Sequence, residues 1–168
     1  AELLRSGAAR PTAAELAHLY RRQSQRHLRP PRARSASWRS RSTALRLAEG
    51  GANVVVNYLS NDAEAAETVK LCKAKGVEVI SVQADVSEFS GAQEIAKQAI
   101  EKFGRIDLLV CNAGVWDGAP IEDMSEEVWN KVINTNLKSA WATTKACVPA
   151  MKKRELAAIV MVSSTSGQ

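Results

Sequence analysis

The 168-residue chain is 45% hydrophobic and 24% charged, with a formal net charge of +5; this is the balance of a globular protein with one core. No apolar run approaches the roughly 18 residues of a membrane span, which excludes an integral helical membrane protein. Cys72, Cys111 and Cys147 are odd in number and far apart, which argues against a disulfide framework or a metal site and makes each a small buried hydrophobe in a reducing, cytoplasmic setting.

The charge is unevenly spread. The first 46 residues hold eleven Arg, no Lys and two acids, a balance of +9, whereas the remainder holds ten Lys, two Arg and sixteen acids, a balance of −4. This change of usage predicts a boundary between a basic Arg/Ser/Ala/Pro-rich arm over 1–42, largely disordered, and a folded domain over 43–168. Within the arm, Thr12 and Glu15 have capping-box spacing and Leu16, Leu19 and Tyr20 follow at helical spacing, so a short helix to about Leu28 is expected. Pro30-Pro31 forbids regular structure beyond it, and 29–42 reads as coil. The arm is open to three readings: an organellar transit peptide, a phosphate-neutralising nucleic-acid contact, or a stretch with no selected role, such as a shifted reading frame or an altered splice boundary. The last is the favoured one, and nucleic acid is not an expected partner.

From residue 44 onward strands and helices alternate. Residues 44–49 form a helix stopped by Gly50-Gly51, and Val54-Val55-Val56 is an apolar run of the kind expected for a strand buried on both faces. The segment 62–75 is an amphipathic helix with Ala65, Ala66, Val69 and Cys72 on its stripe, ended by Gly76 and followed by a strand over 77–82. Ala92, Ile95, Ala96, Ala99, Ile100 and Phe103 give the clearest helical period, closed by Gly104, and 106–111 is the next strand. A polar loop leads to Ser125, a candidate N-cap, and to a helical stretch over 128–153 with a break near Asn136. The last strand is 157–162. This pattern predicts α/β architecture: an incomplete Rossmann-like, doubly wound parallel sheet.

In such sheets ligands bind beyond the carboxyl ends of the strands, here at Asn57-Tyr58, Asp85-Val86, Asn112-Ala113-Gly114 and Ser163-Ser164. A-D-V, N-A-G, I-N-T-N-L and V-S-S-x-S-G occur in that order. Together they resemble the classical short-chain dehydrogenases/reductases of the 3-oxoacyl-carrier-protein reductase and glucose 1-dehydrogenase type. The resemblance implies NADP or NAD as cofactor and a small carbonyl or alcohol as substrate. It implies that Asp85 and Val86 meet the adenine, that Asn112, Ala113 and Gly114 let the dinucleotide pass closely, and that Asn57 bears on the choice between NADP and NAD. For catalysis it implies Ser164, bonded to the substrate oxygen, and Asn136, which interrupts a helix and supports a proton relay. It also implies homo- or hetero-oligomers through helices 92–103 and 128–153.

Taken singly, Asp85 and Asn112 also read as turn residues, the serines as a polar loop, and Trp116, Trp129 and Trp141 as core or subunit-contact residues. The family's glycine-rich loop is not matched: Arg34, Trp38 and Ser40 stand where its glycines belong. Neither its first strand nor the Y-x-x-x-K that follows the serine is encoded in these 168 residues. The expectation is therefore a family fragment in which two strand pairs are separated and turnover is absent.

Overall fold

The computed structural model describes residues 37–163. The expected helix before Leu28, most of the basic arm, and Ser164 with the residues after it lie outside the described residues. The chain forms two compact units that meet at Gln83 and Ala84.

In the first unit α1 (Ser37–Glu49) leads into β1 (Val54–Tyr58), α2 (Asp62–Lys73) and β2 (Val79–Gln83). The strands pair in parallel with Val54 opposite Val79 and Tyr58 opposite Gln83. Ala44, Ala48, Val54, Cys72 and Val79 make a buried cluster, flanked by Leu45, Leu47, Val56 and Val69. Helix α1 starts at Ser37, six residues inside the stretch that reads as coil. Tertiary contacts explain the difference: the Arg41 guanidinium pairs with Glu67 at 3.0 Å and donates to the Thr68 hydroxyl at 3.3 Å, tying the early turns of α1 to α2. Asn61 caps α2 by accepting from the Glu64 amide. The buried face of α2 is Ala65, Thr68 and Cys72, so Thr68 takes the place expected of Ala66, which is exposed. Its hydroxyl stays satisfied by donating to the Glu64 carbonyl at 2.8 Å. The Gly50-Gly51 stop is as expected, with Gly51 at φ 83°, a conformation that costs glycine nothing.

In the second unit α3 (Phe89–Phe103) is followed by β3 (Leu108–Cys111), α4 (Glu126–Ile133), a π-helical turn (Asn134–Lys138), α5 (Ser139–Met151) and β4 (Ala158–Met161). β3 and β4 are parallel, Leu108 opposite Ala158 and Cys111 opposite Met161. Ser125 caps α4 by accepting from the Val128 amide, and Gly104 ends α3 at φ 72°. Ala92, Ala96 and Ala99 are the buried side of α3, while Ile100, expected on that stripe, is exposed. Phe89 and Trp141 stack with centroids 5.7 Å apart, and the Lys145 ammonium lies 4.9 Å from each ring, joining the start of α3 to α5.

The described strands thus form two separate parallel pairs, each made by consecutive strands, as expected without the family's first strand. The expected burial on both faces is corrected. Only Val54 is buried in β1, β3 is half-buried throughout, and Ile159 and Met161 of β4 are exposed. A pair of strands has too few neighbours to cover both surfaces.

Candidate functional site

The loop after β3 is held from the helical side. At Asn134 the helix widens into a π turn, in which the Ser139 amide bonds to the Asn134 carbonyl. Such single wide turns are rare and recur at functional sites. The expected break near Asn136 is therefore present, and the widening frees the Asn136 side chain to meet the loop backbone. Its Oδ1 accepts from the Val115 amide at 2.7 Å and its Nδ2 donates to the Val115 carbonyl at 2.9 Å. Beside this clamp a β-carbon on Gly114 would lie 3.4 Å from Asn136 Oδ1, so the bare backbone of Gly114 leaves that space open. The structure brings Asn136 and Gly114 together, with Asn112 half-buried and Ala113 exposed on the same strand end.

Two residues further on, Asp117 bonds Lys131 of α4 at 2.7 Å and the Gly118 amide at 3.0 Å. The Lys131 ammonium, followed by the amide, holds the Asp117 carboxyl below its ordinary range. Trp116, between these two attachments, is 93% exposed. The Val162 amide bonds to the Cys111 carbonyl, which continues the β4 ladder and puts Ser163 at the same strand end as Asn112. Ser164, the expected catalytic serine, is the next residue.

Asp85 follows β2 and its Oδ1 accepts from the Ser87 amide at 2.8 Å, the geometry of an Asx turn. This is the local role that an aspartate in a turn supplies, and it leaves the exposed Oδ2 pointing no bond at any described residue. Val86 is buried, so only its backbone is offered to a ligand. Gly91, which the sequence reading passed over, holds this turn: a β-carbon there would sit 2.0 Å from the Asp85 carbonyl oxygen. A glycine in the first turn of a helix that otherwise favours alanine is the signal that could have found it. Asn57, the last but one residue of β1 and opposite Val82 of β2, donates from its side chain to the Val82 carbonyl at 3.2 Å. The next residue, Tyr58, has its hydroxyl on Asp62, which raises the phenol's pKa.

At the opposite strand end Asp107 accepts from Arg105 at 2.6 and 2.7 Å and from Arg154 at 3.0 Å. Burial opposes its ionisation, but the two guanidiniums outweigh burial and hold the carboxyl below its ordinary range. Cys111 approaches the Thr143 hydroxyl at 3.4 Å. Burial, followed by Cys111, pushes the Cys147 thiol up to about 11, and burial raises Cys72. Cys72 and Cys147 are buried, as expected of small hydrophobes, and Cys111 is half-buried. Among the described residues no His/Cys/Asp/Glu cluster could hold a metal, and no helix is long and apolar enough to cross a membrane.

In each unit two parallel strands are linked through helices and end in polar loops at their carboxyl ends, which is the Rossmann-like class of α/β protein. Residues 40–168 match the family model for short chain dehydrogenase, and the chain belongs to that family. It is 39% identical over 127 residues to a 3-oxoacyl-[acyl-carrier-protein] reductase of Staphylococcus epidermidis, covering 76% of this chain and 52% of the relative. It is equally similar, at 39%, to an uncharacterized oxidoreductase of Thermotoga maritima, covering 76% of this chain and 49% of that one. Among solved structures, carveol dehydrogenase from Mycobacterium avium in complex with NAD superposes with a TM-score of 0.69 at 33% identity, over 76% of this chain and 50% of that one. The chain spans about half the length of the curated relatives it matches.

Proposed function

We propose that the chain is part of an oxidoreductase that transfers hydride reversibly between NAD(P)H and a carbonyl or alcohol. The observation that carries this reading is the Asn136 clamp on Val115, which fixes the loop at the end of β3. The residues suit a dinucleotide: Asp85 retains a carboxylate oxygen for an exocyclic amine, and Gly114 has no side chain to obstruct a close approach. Asn57 is neutral, so a 2′-phosphate is admitted where a carboxylate would repel it, and NADP is accepted as well as NAD. Bound, the nicotinamide would supply or accept the hydride. Ser164 would donate a hydrogen bond to the substrate oxygen, and Asn136 would hold the loop and helix that frame the proton path.

These 168 residues turn over slowly or not at all on this reading, because Trp38 and Ser40 stand where family glycines let backbone amides approach the pyrophosphate. Both positions lie within α1. Thermal unfolding of the purified chain with and without excess NADPH or NADH tests the binding claim, since a ligand at 100 times its Kd stabilises the native state by about 2.7 kcal/mol. An upward shift is expected, and indifference to both nucleotides overturns the reading. Measurable ketone-dependent NADPH oxidation would overturn the claim of poor turnover.

Association with a full-length family member is a second reading, favoured by the exposure of Ile100, Trp129, Leu137 and Trp141 on helices 92–103 and 128–153. Co-purification with such a partner is expected, and its loss on Trp141→Glu supports this route. A chain that runs as a monomer in its partner's presence excludes it.

A further inference from the structure

We propose that Asp117 and Gly118 form a self-modifying site, at which the Gly118 nitrogen closes on the Asp117 carboxyl and the resulting succinimide opens to isoaspartate. Lys131 is the acid of the step, and the chemistry needs nothing from the oxidoreductase reading. Of the five aspartates in the chain only Asp117 precedes a glycine. Glycine puts no β-carbon beside the attacking nitrogen and lets the backbone turn toward the carboxyl. A β-carbon at Gly118 would have nothing within 4 Å, so the space around that turn is open. The carboxyl is already placed: its Oδ1 accepts from the Gly118 amide at 3.0 Å, and its Oδ2 accepts from the Lys131 ammonium at 2.7 Å. The nucleophile thus faces one oxygen of the electrophile while a proton donor holds the other.

The N–Cγ bond forms as the amide proton passes to Oδ1, and the Lys131 ammonium protonates Oδ2. The Cγ–Oδ2 bond then breaks and one water leaves, carrying the lysine's proton and the former amide proton; the lysine is recharged from solvent. Water opens the succinimide at either carbonyl: attack at Cγ restores aspartate, and attack at the α-carbonyl leaves the main chain running through Cβ and Cγ. No oxidant enters, and the mass is unchanged once the ring has opened. Asp107 shows why both neighbours matter. It is held by Arg105 and Arg154, but a guanidinium does not give up its proton, and the branched Leu108 follows it. Isoaspartate lengthens the main chain by one carbon between Trp116 and Gly118 and draws the free carboxylate one carbon nearer the chain, away from Lys131. One of the two attachments that flank Trp116 is thereby released, while the Asn136 bonds to Val115 remain.

The test holds the purified whole chain at neutral pH and follows methyl transfer from radiolabelled S-adenosylmethionine by an isoaspartate carboxyl methyltransferase. Electron-transfer fragmentation of the tryptic peptide 106–131 places the modified residue. Isoaspartate is expected to accumulate at position 117 and not at Asp107 or Asp123, which lie in the same peptide. Gly118→Ala should slow it several-fold, since a β-carbon then crowds the nitrogen. Lys131→Met should slow it about 10²-fold, the low end for a positioned acid, because water also reaches Oδ2. Lys131 is exposed and Gly118 has open space around it, so both variants should keep the native circular dichroism spectrum. No isoaspartate at position 117, equal amounts at all three aspartates, an unchanged rate in Gly118→Ala, or a rate unchanged or raised in Lys131→Met overturns the proposal.

Discussion

Replacing Asn136 by alanine removes both hydrogen bonds that hold Val115 and leaves the rest of the π turn chemically intact. An intramolecular hydrogen bond contributes about 0.5–1.5 kcal/mol net. Because Asn136 and Val115 are exposed and water can replace part of what is lost, the lower half of the summed range, about 1–2 kcal/mol, is the expected cost. That cost falls on the local opening of the loop, where it corresponds to a roughly 5- to 30-fold loss of protection at one amide. The assay is hydrogen exchange followed by NMR, read at the Val115 N–H. Asn136→Asp sharpens the test: its carboxylate still accepts from the Val115 amide, but an anionic oxygen now faces the Val115 carbonyl in place of the Nδ2 donor that sits 2.9 Å away. Asp should therefore be no better than Ala near pH 7 and recover partly on acidification, when the carboxyl regains a proton to donate. Equal exchange rates at Val115 in all three proteins would falsify the clamp.

Gly91→Ala should destabilise the second unit by about 1–3 kcal/mol despite alanine's helical preference, because overpacking against a backbone carbonyl cannot be relieved by rotating a side chain; Gly118→Ala, where nothing lies within 4 Å, is the control expected to leave the melting temperature unchanged. The Asp107 carboxyl sits below its ordinary 3.8 in the folded chain, so its stabilisation is complete above that pH and is lost as pH falls through the folded value. Asp107→Asn should lower stability by about 1 kcal/mol at neutral pH and flatten the acid limb of the stability profile, and an unchanged acid limb would remove Asp107 from the account. With Cys147 pushed up to about 11, its thiolate fraction at pH 8 is about one in a thousand. Thiol titration should label Cys111 first and reach Cys72 and Cys147 only on denaturation; fast labelling of all three in the native chain would contradict their burial.

Periodicity and helix stops located the elements because both arise from residues close in sequence. The Ser125 cap, the αL turn at Gly104 and the break near Asn136 each depend on a few neighbouring residues, and each is present in the structure. The errors come from partners distant in the chain. Arg41 reaches Glu67 and Thr68 from 26 and 27 residues away, and those contacts extend α1 back to Ser37 across a stretch whose composition reads as coil. An apolar strand declares that it can be buried on two faces, but burial requires other elements to cover them, which is why Ile159 and Met161 are exposed in a two-stranded pair.

The site follows the same rule. Asn136 stood out through its motif, but its bonds to Val115 depend on a π turn and a loop 21 residues away. Gly91 and the Asp117–Lys131 pair escaped notice because a glycine opening a helix and a charged pair 14 residues apart mean nothing until the backbone brings them against Asp85 and the β3 loop. What these contacts have in common is that all immobilise backbone at a strand end. The fold thus spends its local hydrogen bonds on holding strand-end turns still, and that makes loop rigidity the property to measure separately from binding. If the clamp at Val115 can be loosened while the sheet pairs persist, the candidate site is an independent layer built on the fold; if both fail together, it is one of the contacts that keeps β3, the π turn and α5 packed as a unit.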